Sequence, residues 1–157
     1  MSEIITGRDA IFAKWAASKI PQIGIPENFG KHVAVGVMTG KEKTDRLQAA
    51  VVFHDYYPQY GHCQCSVAAA DPRWVSKRNI RALLSIPFFQ YKCHTVWVSV
   101  LSTNERVVRF AKALGFKYHT TLPDYFGKGR HAVVCRMSAG FYEARYWNDK
   151  KVEAKAA

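Results

Sequence analysis

Residues 96–116, VWVSVLSTNERVVRFAKALGF, constrain this chain more than any other stretch, because they join a hydrophobic strand to an amphipathic helix through one asparagine. Val96, Val98 and Val100 alternate with Trp97 and Ser99, as in a pleated strand buried on both faces, and the apolar run stops at Ser102-Thr103-Asn104. Val107, Val108, Ala111 and Leu114 then recur at helical spacing, with Arg106, Arg109 and Lys112 between them. Gly115 stands where a left-handed cap ends a helix, and Phe116 opens the next strand. A unit of this kind is built to hold something.

The flanking sequence supplies the rest of an α/β layer. Ile11, Phe12, Trp15, Ala16 and Lys19 predict an opening amphipathic helix over 9–20 that stops before Pro21, followed by a loop marked by Gly24, Pro26, Asn28 and Gly30. Strands are expected over 33–38 and 47–54, joined by a polar turn over 39–46. An aromatic-rich surface connection over 55–61 leads to a third strand, 62–70, of small residues that allow another molecule's backbone to come close. A helix over 76–89 follows, with Ile80, Leu83 and Leu84 inward and Pro87 limiting its end. After the 96–116 unit come strands over 118–121 and 132–137, then a last amphipathic turn built on Phe141-Tyr142 and Tyr146-Trp147. Strand, strand, strand, helix, strand, helix, strand, strand after the first helix predicts a mixed sheet with helices on both faces.

The chain of 157 residues with 48% apolar content suits one domain, 1–147, with a polar Lys- and Ala-rich tail over 148–157. Nothing approaches a membrane span, and Glu3, Arg8, Asp9 and Lys14 interrupt the N-terminal segment, so neither an anchor nor a signal peptide is expected and the cytoplasm is the expected compartment. The 4 cysteines, at 63, 65, 93 and 135, lack paired metal-ligand spacing, so no metal is expected and they read as buried free thiols. The formal charge of +11 predicts attraction to a polyanion without saying which one.

The strand, Asn104, amphipathic helix and Leu114-Gly115-Phe116-Lys117 together resemble the second half of the GCN5-related N-acetyltransferases, the GNAT family. Ala70-Asp71-Pro72-Arg73-Trp74 with the helix from Ser76 is similar to the family's central strand and cofactor helix. Arg73-Trp74, Ile86-Pro87-Phe88, Asn104-Glu105-Arg106 and Leu114-Gly115-Phe116 resemble the compact members encoded by bacteriophages. The resemblance implies a GNAT-like mixed, mostly antiparallel central sheet with helices on both faces and one splayed strand pair. It also implies acetyl-CoA as cosubstrate. The backbone of Ala68, Ala69 and Ala70 would pair with its pantetheine arm, and Asn104 would reach across the opening; an ordinary helix N-cap is the alternative role for Asn104, and one side chain can serve both. A helix N-terminus favours phosphate through its orphan N–H groups and dipole. The family's glycine-rich phosphate loop is replaced here by 75–80, Val-Ser-Lys-Arg-Asn-Ile, so Ser76, Lys77, Arg78, Arg81 and Arg106 become the candidate phosphate contacts, with an exposed helix face as the alternative for the basic residues.

Acetyl transfer to an amine needs a neutral nucleophile, a polarised thioester and a proton donor for the thiolate. At the two positions where the family carries its acid this chain has Ala111 and Val107. His54 and Tyr125 are the candidate catalytic groups, each with a structural role as its alternative. The resemblance implies direct transfer to an amine acceptor, a protein lysine or N-terminus in a host cell or an aminoacyl-tRNA, whereas the positive charge disfavours small polyamines. A homodimer is an option, because many relatives dimerise. The competing reading is a catalytically inactive GNAT-fold binding module that acts on nucleic acid or a host protein through its basic surface.

Overall fold

The computed structural model describes residues 2–39 and 46–148. Most of the expected 39–46 turn and all but the first residue of the expected 148–157 tail lie outside the described residues. The chain forms a 7-stranded sheet in the order β1-β2-β3-β4-β5-β7-β6, built from β1 (Ser2–Ile5), β2 (His32–Thr39), β3 (Arg46–Tyr57), β4 (His62–Ala69), β5 (Thr95–Leu101), β6 (Lys117–Leu122) and β7 (Ala132–Ser138). Neighbouring strands run antiparallel except β4 and β5, which are parallel. The expected element order is present, with β1 added at the N-terminal edge.

Helices α1 (Asp9–Lys19), α2 (Lys77–Ser85), α3 (Glu105–Leu114) and α4 (Ala139–Tyr142) cover the sheet. Alternation along β3 divides the core: Val51 and Phe53 pack with α2, α3 and α4, whereas Ala50 and Val52 pack with α1. Helix α1 presents Phe12, Ala13, Ala16 and Ala17 to the sheet, and Ile11, one of the residues that recur at helical spacing, is 63% exposed. The reason is close approach. Ala34, Ala50 and Ala68 line the sheet below α1, and a Cβ on Gly36 would come within 2.6 Å of the Phe12 ring, so the helix lies low on its smallest side chains.

Pro87 does not stop its helix; it changes the helix type. Segment Ile86–Gln90 continues α2 as a π-helical turn, with the Tyr91 N–H bonded to the Ile86 carbonyl, because proline removes an N–H from the α ladder. The wider turn buries Ile86, Pro87 and Phe88, and Phe88 stacks on Tyr142. The C-terminal turn packs as expected, with Tyr142 and Tyr146 buried. All 4 cysteines are free and buried. No helix among the described residues is long and apolar enough to cross a membrane.

Candidate functional site: a cleft between two parallel strands

Strands β4 and β5 begin as a ladder and then part. Pairing runs from His62↔Thr95 to Gln64↔Trp97 and ends there. Beyond it each strand follows its other neighbour: the Ala70 and Asp71 N–H groups donate to the Gln48 carbonyl of β3, while Val100 and Leu101 stay paired with Val133 and Ala132 of β7. Residues 65–69 and 98–101 therefore become facing walls of a cleft of ≈ 380 Å³. The backbone groups directed across it have no strand partner among the described residues, so an extended chain bearing amide groups can bind there as an added strand.

The strand wall carries two polar side chains, Ser66 and Ser99, among apolar ones, and a hydrogen-bonded network connects them from behind. Bulging between His54 and Tyr57, with Asp55 at φ 49, interrupts the alternation of β3, so neighbouring residues 54 and 55 meet on one side instead of facing opposite ways. The Asp55 carboxylate then lies 2.9 Å from His54 Nδ1. His54 Nε2 lies 2.8 Å from Ser66 Oγ, and Ser66 lines the cleft. A second arm runs from Ser99 Oγ to Gln64 Oε1 at 3.3 Å and from Gln64 Nε2 to Asp55 Oδ2 at 3.2 Å. Burial pushes the His54 imidazole below its ordinary range, against the raising effect of its Asp55 hydrogen bond, so the ring is neutral near pH 7. An ionised carboxylate only accepts, which makes Nδ1 the donor and leaves Nε2 as the acceptor for the Ser66 hydroxyl.

The helix wall is apolar. Val107, Phe110, Ala111 and Leu114 of α3 face the cleft with Phe116, while Lys19, Ile20, Pro21 and Gln22 at the end of α1 form its rim. Val107, at a position expected to face the core, is 38% exposed because the cleft lies in front of it. Cys65 also lines the cleft, but burial raises its thiol to about 12, so it is no thiolate nucleophile near neutral pH.

The residues singled out in the sequence fall into separate groups. Ala68, Ala69 and Asn104 line the cleft, and the Asn104 side chain caps α3 by accepting from the Val107 N–H at 3.4 Å. Ala70 turns the chain toward Gln48. The turn over 72–74, just ahead of the segment that lacks glycines, is ordered by Asp71, whose carboxylate accepts from the Arg73 backbone N–H and guanidinium, and these bonds hold its carboxyl well below the usual carboxylate range. Trp74 is buried and meets Phe110 of α3, so this loop and the helix wall share a contact.

Ser76 caps α2 by accepting from the Asn79 N–H at 3.0 Å, and Lys77 and Arg78 occupy its first turn. Arg81 lies with its guanidinium 4.5 Å from the Trp147 ring centroid. Arg106 is exposed on the first turn of α3. Tyr125 is 50% exposed in the loop between β6 and β7, its ring against Phe126, outside the cleft lining. Sequence reading missed Ser66 and Ser99; one available signal was their place in strands that otherwise carry apolar residues.

A seven-stranded sheet with α2 and α3 following the strands of a splayed parallel pair is the GNAT fold, and this chain has it. Solved structures agree. Mutant forms of the spermidine/spermine N-acetyltransferase SpeG from Vibrio cholerae superpose with a TM-score of 0.70 at 14% identity, covering 92% of this chain and 99% of that one. The dodecameric spermidine N-acetyltransferase from Vibrio cholerae in its intermediate state gives 0.70 at 12% identity, with coverage of 92% and 97%. A chimera of the Vibrio cholerae enzyme with hSSAT gives 0.67 at 15% identity, covering 90% and 98%. No protein-family model matches the chain, and no curated protein matches it in sequence.

Proposed function

We propose that this protein is an N-acetyltransferase that moves an acetyl group from acetyl-CoA directly to an amine. The observation that carries the reading is the cleft opened where the β4–β5 ladder ends, with free strand edges for an amide-bearing arm and an apolar helix wall beside them. On this reading the backbone of Ala68, Ala69 and Ala70 and the side chain of Asn104 hold the pantetheine portion. Ser76, Lys77, Arg78 and Arg106, near the starts of α2 and α3, take the phosphates. Arg81, stacked on Trp147, is the weakest member of that set. His54 is the base; Tyr125, outside the cleft lining, is the lesser catalytic candidate.

The charge of +11 favours an acceptor attached to an anionic or large carrier, a protein lysine or N-terminus or an aminoacyl-tRNA, over a free polyamine. The phage-type motifs support a role in a host cytoplasm, and the assembled neighbour makes self-association, a homodimer at the smallest, part of the reading. The test pairs calorimetry with labelling. Acetyl-CoA is expected to bind and to weaken in Lys77→Ala/Arg78→Ala, and labelled acetyl-CoA incubated with a cell lysate is expected to mark the protein or RNA fraction. Absence of acetyl-CoA binding together with salt-sensitive RNA binding would establish the inactive binding module instead.

A further inference from the structure

We infer that Ser66 is the residue that touches the acceptor amine, and that it passes the amine's proton to His54, which Asp55 and Gln64 hold in place. This rests on the acetyltransferase reading and deepens it. The hydrogen bonds of the network lead toward one carboxylate: Ser66 O–H to His54 Nε2, His54 Nδ1–H to Asp55, Ser99 O–H to the Gln64 carbonyl, and one Gln64 N–H to Asp55. With their hydrogens so committed, Ser66 and Ser99 turn only lone pairs toward the cleft from its two strand walls. Such a pair accepts N–H groups, which is what a neutral amine offers.

His54 itself does not line the cleft, so it reaches the acceptor only through Ser66. As the amine nitrogen attacks the thioester carbonyl its N–H becomes acidic. That proton passes to Ser66 Oγ while the Ser66 proton moves to His54 Nε2, and Asp55 stabilises the resulting imidazolium. Collapse breaks the C–S bond, and the thiolate takes a proton from Ser66 Oγ as the imidazolium returns its own to Ser66, which restores the starting state. Apolar residues at 107 and 111 leave the helix wall without an acid, so the strand wall is the connected proton path the cleft offers among the described residues. The strained backbone at Asp55, φ 49, fits this purpose, since without it the carboxylate would point away from His54. The ionisable groups facing His54 are Asp55 on its own strand and His32 opposite it on β2, whereas β4 contributes only the uncharged Gln64 and Ser66.

The experiment measures acetyl-CoA binding by calorimetry and amine-dependent thiol release across pH 5–9 with ethylamine, spermidine and a lysine-containing peptide as acceptors. Ser66→Ala is expected to bind acetyl-CoA as the wild type does and to lose about 10²-fold in kcat, the scale of general-base catalysis, together with the acidic limb set by His54. Ser66→Thr, which keeps the hydroxyl, should recover most of the rate, and Asp55→Asn should shift the limb. Unchanged kcat and limb in Ser66→Ala would overturn the relay. So would an acetyl group found on Ser66 by intact mass, because the hydroxyl would then be a nucleophile, and so would a wild-type protein that binds acetyl-CoA yet acetylates none of the three amines. Failure of acetyl-CoA to bind the wild type is a separate result, which removes the acetyltransferase reading itself.

Discussion

The two walls of the cleft differ in what stands behind them. On the strand side a chain of hydrogen bonds links Ser66, His54, Asp55, Gln64 and Ser99, whereas the helix side offers Val107, Phe110, Ala111 and Leu114. A polar network is worth keeping beside an apolar surface only when each member has its partner, and here each of these five side chains is hydrogen-bonded to another of them. The difference teaches that shape and polarity are assigned separately: α3 lines the cleft with apolar side chains, while β3, β4 and β5 supply the hydrogen-bonded groups.

Substitutions on each wall should therefore fail in different ways. The largest effect is expected from Ala111→Trp, which fills the cleft from the helix side; calorimetry should detect no acetyl-CoA binding while the thermal unfolding curve stays cooperative. Next is Gly115→Ala, which must hold a side chain at φ 111 and place its Cβ 2.2 Å from the Phe141 ring, so chemical denaturation should show a loss of about 1–3 kcal/mol. Asn104→Ala removes the cap of α3 and should lower stability by about 1 kcal/mol. If Asn104 also holds the ligand, its acetyl-CoA affinity will fall more than that of Asn104→Asp or Asn104→Ser, which keep a cap.

The smallest effect is a pH dependence on the strand side. His54 is buried neutral with its folded value below the unfolded one, so the stability it contributes is present above about pH 6.5 and is lost as the pH falls below that value toward the lower folded one. Denaturation midpoints at pH 7 and pH 5.5 should differ less in His54→Gln than in the wild type.

Much of this was legible in the sequence where the signal is local. The strand over Thr95–Leu101, the cap at Asn104, the helix Glu105–Leu114 and the left-handed Gly115 each depend on residues within a few positions of one another. Strand β1 escaped because Ser2–Ile5 has only 4 residues, too short for alternation to stand out. The inward face of α1, Phe12, Ala13, Ala16 and Ala17, is not readable from the helix alone, because side-chain size there does not reveal a sheet paved with alanines and Gly36. Strand β3 runs on to Tyr57, through a segment read as surface connection, because its bulge keeps the chain paired to His62.

The sequence by itself determined the order of the elements from α1 onward, the ends of α3 and the small residues of β4, since propensity, capping and periodicity act over short spans. Only the tertiary structure decided that Ser66 meets His54, 12 positions away, and that Ser99 meets Gln64, 35 positions away. Those meetings depend on strand register and on a bulge that turns Asp55 inward, and register is fixed by how the whole sheet buries its faces rather than by any residue's own preference.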